Sequence, residues 1–159
     1  MKHTLILLRH AKSAWPQDTA DDDRPLAGRG RRDAPAVGHW LREQATKIDL
    51  VVCSPAVRAV QTWDLVAGQL DATPRVRHDE SLYGACAADL LSITQEFPQN
   101  ASTAVLVGHN PGLEDFLALL TGISEPLKTS AIAVITTPER WDRALPGSWT
   151  LETLATPRG

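Results

Sequence analysis

A chain of 159 residues with 43% apolar residues, 22% charged residues and a formal net charge of -3 is sized for one domain with its own core, and it lacks the charge excess of a disordered chain. Mild acidity argues against a nucleic-acid binder, which needs a cationic face to release phosphate counterions. Its two cysteines, Cys53 and Cys86, fall in no CxxC or Cys/His spacing, so a reduced pair in the cytoplasm is expected rather than a disulfide or a metal site.

In chain order, the first apolar run is Leu5 to Leu8. It is too short for a signal segment or a membrane span and is closed by Arg9, so it reads as a strand over 4–9. Arg24, Arg29, Arg31 and Arg32 come next, flanked by Asp21, Asp22, Asp23 and Asp33. That balance reads as a solvated loop and helix start, the alternative being that Arg24 or Arg29 helps an anionic ligand dock. A helix is predicted over 29–45, where Val37, Trp40 and Leu41 recur at i, i+3, i+4 spacing. Proline is tolerated only in a first turn, so Pro35 implies a helix that begins near Asp33 or kinks there.

A strand over 50–54 leads into a helix over 56–69, carried by Val57, Val60 and Leu65. A short strand over 75–77, a helix over 87–96 and a strand over 104–108 come after it. Pro111 and Gly112 lead into a helix over 113–120 that Gly122 stops. Two last strands, over 131–136 and 148–154, suit antiparallel pairing, with 137–146 and 157–159 irregular. The β-then-α rhythm predicts an α/β fold with a mostly parallel sheet and helices packed on it. No repeat, low-complexity tract or linker interrupts it, so one domain over 1–159 is expected.

Ligands of open α/β sheets bind beyond the carboxyl ends of the strands. Here the first strand ends in Arg9-His10, and the second runs through Ser54-Pro55-Ala56-Val57 to Arg58. The third exits at His78-Asp79-Glu80, and the fourth ends in Gly108-His109-Asn110-Pro111. Each of these residues alone has an ordinary structural explanation; their coincidence in matching loops does not. Two arginines whose forks match phosphate oxygens, two histidines and a carboxylate make a phosphoryl-transfer site without a metal. His3, His10 and His109 are the competing metal ligands. However, His3 and His10 lie roughly 20 Å apart at ~3.3 Å per strand residue, and Arg9 and Arg58 repel a cation. Gly108 and Gly112 make no P-loop without a following Lys-Ser/Thr, and Ser13 and Ser54 sit in no G-x-S-x-G context.

The segments "LLRHAKSAW", "DRPLAGRGRRDA", "VVCSPAVRAVQT" and "VLVGHNPGLE" resemble, in order, the motifs of the histidine phosphatase (phosphoglycerate mutase-like) superfamily, over Leu7 to Glu114. The Arg-His-Ala triplet, "DRPLAGRG" and the short chain look most like its small SixA-type phosphohistidine phosphatase branch. The resemblance implies a three-layer αβα sandwich with a mostly parallel central sheet and no cap domain. It implies that His10 becomes phosphorylated while Arg9, Arg58 and His109 grip the phosphoryl group, with no metal and no cofactor. Lys12 and Ser13 are further donors from the same loop. "ESLYG" puts Glu80 where mutase-like members carry a general acid, a residue that SixA-type proteins often lack.

A neutral imidazole must attack, and Arg9 and Arg58 should disfavour a second positive charge on His10. Its other ring nitrogen should donate to a backbone carbonyl. Only 21 residues separate Arg58 from Glu80, and 28 separate Glu80 from His109, which leaves no room for a lid domain. An open site suits a phosphohistidine on a protein. The alternatives are a broad small-molecule phosphomonoesterase using Glu80 as acid on a phosphorylated metabolite, and a phosphate-binding module without turnover. No nucleic-acid or membrane partner is expected. Trp15 and Trp63 are given no catalytic role, leaving open whether they line the mouth or simply pack.

Overall fold

In the computed structural model, which describes residues 2–158, the run Leu5 to Leu8 lies in strand β1 (His3–Arg9), and none of the four side chains is more than 1% exposed. Full burial of consecutive residues requires a layer on each face of the sheet, because successive strand side chains point to opposite sides. Leu5 and Leu7 enter one apolar cluster, Ile6 and Leu8 the other.

Helices α1 (Gly28–Glu43) and α2 (Val57–Ala67) supply Val37, Leu41, Ala59, Trp63 and Val66 to the cluster of Ile6 and Leu8. On the opposite face, α3 (Ala87–Gln95) and α4 (Gly112–Thr121) supply Leu90, Ile93, Leu113, Phe116, Leu117 and Leu120. The result is the expected three-layer αβα sandwich. Each of these large side chains contributes about 1.5–3 kcal/mol as it leaves water.

The remaining strands are β2 (Leu50–Cys53), β3 (Arg75–His78), β4 (Thr103–Gly108), β5 (Ile132–Thr137) and β6 (Thr150–Ala155). Their order is β3-β2-β4-β1-β5-β6. β1 to β4 run parallel, β5 is antiparallel to β1, and β6 is antiparallel to β5. Between β3 and β4 stand only a 3-10 turn (Glu80–Leu82) and α3, so no cap covers the sheet edge. Among the described residues no helix is long and apolar enough to cross a membrane.

Two expectations are corrected. α1 matches the predicted 29–45 span; of the two readings of Pro35, a start near Asp33 is the one that fails, because α1 begins at Gly28 and carries Pro35 inside it. Burial of Gly30, Asp33, Ala34, Val37, Gly38 and Leu41 along one face outweighs the hydrogen bond that proline cannot donate. β6 begins at Thr150, because the amides of Ser148 and Trp149 are spent on the carbonyls of Leu145 and Leu120. Gly30 brings α1 against the loop after β1: a Cβ there would lie 2.2 Å from the Lys12 carbonyl oxygen, so only glycine allows so close an approach.

Candidate active site

Parallel register sets the ends of the inner strands side by side: Arg9 pairs with Gly108, and Cys53 with both Val107 and His78. His10, Ser54 and His109 therefore leave the sheet together. His10 is only 7% exposed. Its Nδ1 lies 2.8 Å from the carbonyl oxygen of Ala11, and a carbonyl only accepts, so Nδ1 carries the proton and Nε2 the lone pair. The Ala11 amide in turn donates to the Thr62 hydroxyl, which donates to the carbonyl of Arg58 at 2.7 Å. One turn of α2 thus ties the histidine loop to Arg58.

Arg9, Arg58 and His109 line the same cavity of about 230 Å³ as His10. The Arg9 Nη1 donates to the Leu127 carbonyl at 3.0 Å, and Asn110 Nδ2 donates to the same oxygen at 2.8 Å. Leu127 is held by its own amide donating to Glu114 of α4. Arg58, 7% exposed, donates to the carbonyl and carboxylate of Asp21. The His10 and His109 ring centroids are 5.2 Å apart. His109 Nε2 lies 2.8 Å from the Ser54 hydroxyl, and its buried Nδ1 has no partner among the described residues. Ser54 Oγ already accepts from the Ala56 amide. The Ser54 hydroxyl has a second lone pair, so it pairs with either tautomer of His109; in the one where Ser54 donates to Nε2, Nδ1 carries the proton.

Lys12 and Ser13 also line the cavity, Lys12 exposed and Ser13 with its hydroxyl bonded to the Arg24 guanidinium. Glu80 does not: it is exposed and lines a neighbouring groove with Asp22, Pro55, Ala56 and Tyr83. His3 sits at the far end of β1, tilted against the Trp141 ring and bonded to the Glu139 carbonyl. Of the two arginines weighed for anion docking, Arg24 lines the cavity, whereas Arg29 pairs with Asp33 on α1. Trp15 stands at the cavity with 74% of its surface open, and Trp63 is packed in the core at 2%.

Sequence reasoning gave no site role to Asp21, Asn110 or Thr129. Asp21 lies in a 3-10 turn (Asp21–Asp23) and accepts from Arg24, Arg58 and the Tyr83 hydroxyl. Its carboxyl is held well below the usual range, first by Tyr83 and then by Arg24 and Arg58. The run of three aspartates just before Arg24 was its only signal. Asn110 and Thr129 line the cavity from loops that no motif marks apart from the "GHN" triplet.

Burial pushes the His10 imidazole down to about 3, with the charges of His109, Arg58 and Arg9 acting in the same direction against the Ala11 hydrogen bond. Burial, then Arg58, brings His109 to about 4, with Asp21 opposing. A lowered pKa means that the neutral, nucleophilic form persists far below the ordinary histidine value of ~6.5. In imidazole ¹⁵N spectra, His10 and His109 are expected to stay neutral from pH 8 down to pH 5. Unfolded histidine takes up the proton that these two refuse, so their contribution to stability is present above about pH 6.5 and is lost as pH falls toward about 3 to 4. Protonation of either ring near pH 6.5 would contradict this environment.

A sequence model of the histidine phosphatase superfamily (branch 1) matches residues 5–124. An uncharacterized protein of Mycobacterium tuberculosis is 40% identical over 162 residues, covering 95% of this chain and 100% of its own. The phosphohistidine phosphatase SixA of Escherichia coli is 29% identical over 143 residues, 85% of this chain and 86% of its own. A solved structure from Nakamurella multipartitia, assigned as a phosphohistidine phosphatase SixA, is 29% identical with a TM-score of 0.87, covering 100% of this chain and 98% of that one.

Proposed function

The chain belongs to the histidine phosphatase superfamily, with its phosphoglycerate mutase-like fold, and on that premise we propose that it dephosphorylates phosphohistidine on a protein through a covalent phosphohistidine on His10. The observation that carries this reading is the pairing of His10 Nδ1 with the Ala11 carbonyl, which leaves a neutral Nε2 lone pair in a cavity lined by Arg9, Arg58 and His109.

The Nε2 lone pair bonds to phosphorus as the bond from phosphorus to the substrate nitrogen breaks. A substrate imidazole protonated on its second nitrogen departs neutral, so this step needs no acid. Water then adds to phosphorus, the P–Nε2 bond breaks, and both water protons leave on the inorganic phosphate. Splitting one displacement into two lowers each barrier. Arg9 and Arg58 present guanidinium donors, and His109 the N–H of its Nδ1-protonated tautomer, to oxygens whose charge develops in transit; Lys12 and Ser13 are additional donors. Arg9, Arg58 and Lys12 bring positive charge to the phosphoryl oxygens.

The absence of a cap between β3 and β4 supports a macromolecular substrate, since an uncapped edge admits a side chain presented by another protein. Free Cys53 and Cys86 fit a reducing compartment, and we place the reaction in the cytoplasm. The test is turnover of a phosphohistidine-bearing protein beside a sugar phosphate, in excess chelator. Preference for the phosphohistidine supports the reading; activity on the sugar ester alone overturns it.

Glu80 distinguishes the leaving groups. A general acid is worth roughly 10²–10⁴ in rate where the leaving group demands a proton. Glu80 is exposed in the groove that adjoins the site at Tyr83, and imidazole leaves without help. Glu80→Gln is therefore expected to change kcat/KM on phosphohistidine by less than about threefold. A loss of about 10²-fold would move the assignment to an ester phosphatase using Glu80 as acid.

A further inference from the structure

Trp15 and Tyr83 are the two exposed aromatic side chains among the described residues, 74% and 40% accessible. A single exposed apolar residue is ordinary, but these two come from distant segments and both stand at the His10 site. Trp15 lines the cavity, and Tyr83 sits edge-on to His109 with ring centroids 5.6 Å apart. Both are tied to one carboxylate: the Tyr83 hydroxyl donates to Asp21, and Arg24, which also donates to Asp21, stacks 3.3 Å from the Trp15 ring centroid.

Arg24 is itself fixed by the Ala14 carbonyl and the Ser13 hydroxyl. The indole therefore has one face covered by an immobile cation and the rest of its surface open beside the nucleophile. A ring ordered in advance loses little entropy when a second ring stacks on it. The Arg24 donors against the indole are already paired with Ala14, Ser13 and Asp21, so the open side of the ring presents flat π surface.

We infer that Trp15 is a specificity determinant for the leaving group: its open surface stacks on the imidazole of the substrate phosphohistidine while Arg9, Arg58 and His109 hold the phosphoryl group. This role rests on the proposed phosphohistidine substrate. Aromatic pairs contribute about 0.5–1.5 kcal/mol beyond burial, a factor of about 2 to 12 in binding.

Phosphoramidate has the same P–N bond without a ring and serves as the control substrate beside N-phosphohistidine. In Trp15→Ala, the ratio of kcat/KM for phosphohistidine to that for phosphoramidate is expected to fall about three- to tenfold, with the loss in KM for phosphohistidine. Trp15→Phe, which keeps a ring, is expected to restore most of it. An unchanged ratio in Trp15→Ala, or equal losses in the alanine and phenylalanine variants, overturns the assignment while leaving the phosphatase reading intact. Failure of the wild-type protein to turn over both N-phosphohistidine and a phosphohistidine-bearing protein overturns both.

Discussion

Replacing His10 with alanine is expected to lower turnover of phosphohistidine by about 10⁴-fold or more, because a covalent route without its nucleophile has no partial substitute. The side chain has one hydrogen bond, to its own neighbour Ala11, and sits at a cavity wall rather than in the apolar clusters, so the variant should fold. Brief exposure to a labelled phosphoryl donor should leave an acid-labile, alkali-stable phosphate on the wild type and none on His10→Ala. His109 is the next imidazole, 5.2 Å away, but its Nε2 is engaged by Ser54. Activity within tenfold of the wild type, or undiminished labelling in His10→Ala, would show that another group attacks phosphorus.

Loss of the Arg58 guanidinium should cost about 10²–10³-fold in kcat, the effect of removing one preorganised donor from a developing oxyanion. Arg58 is buried beside His10, and both of its terminal nitrogens are oriented by Asp21. It therefore meets the transferring group without reorganising. Arg58→Lys should recover only part of the rate, since an ammonium cannot reproduce the planar fork. Product inhibition by inorganic phosphate provides a second readout, and its constant should rise in Arg58→Ala. A kcat loss below about tenfold with unchanged phosphate inhibition would place the grip on Arg9 and Arg24 instead.

The strand ends carried most of what could be read early. β1 and β4 are uninterrupted apolar runs that end in Arg9-His10 and Gly108-His109, and the parallel sheet implied by the β-then-α rhythm makes such ends adjacent. Of the two outcomes that Pro35 allowed, a start near Asp33 fails because a local rule about proline carries no term for the packing of Ala34, Val37 and Leu41 on the sheet. Arg24 and Trp15 were ambiguous for a related reason: an arginine among aspartates and an aromatic in a loop look the same in sequence whether they face solvent or a cavity.

By itself, the sequence determined a mostly parallel α/β sheet through its hydrophobic period and, through its resemblance to short motifs, the family and its layered fold, because periods and motifs are local properties of the chain. Only the tertiary structure decided that Asp21 faces Arg24, Arg58 and Tyr83, that Trp15 stacks on Arg24, and that Glu80 stands outside the cavity of His10. Those contacts join segments up to 62 positions apart. They arise from how the loops fold back over the sheet edge, and no local period or turn signal encodes that path.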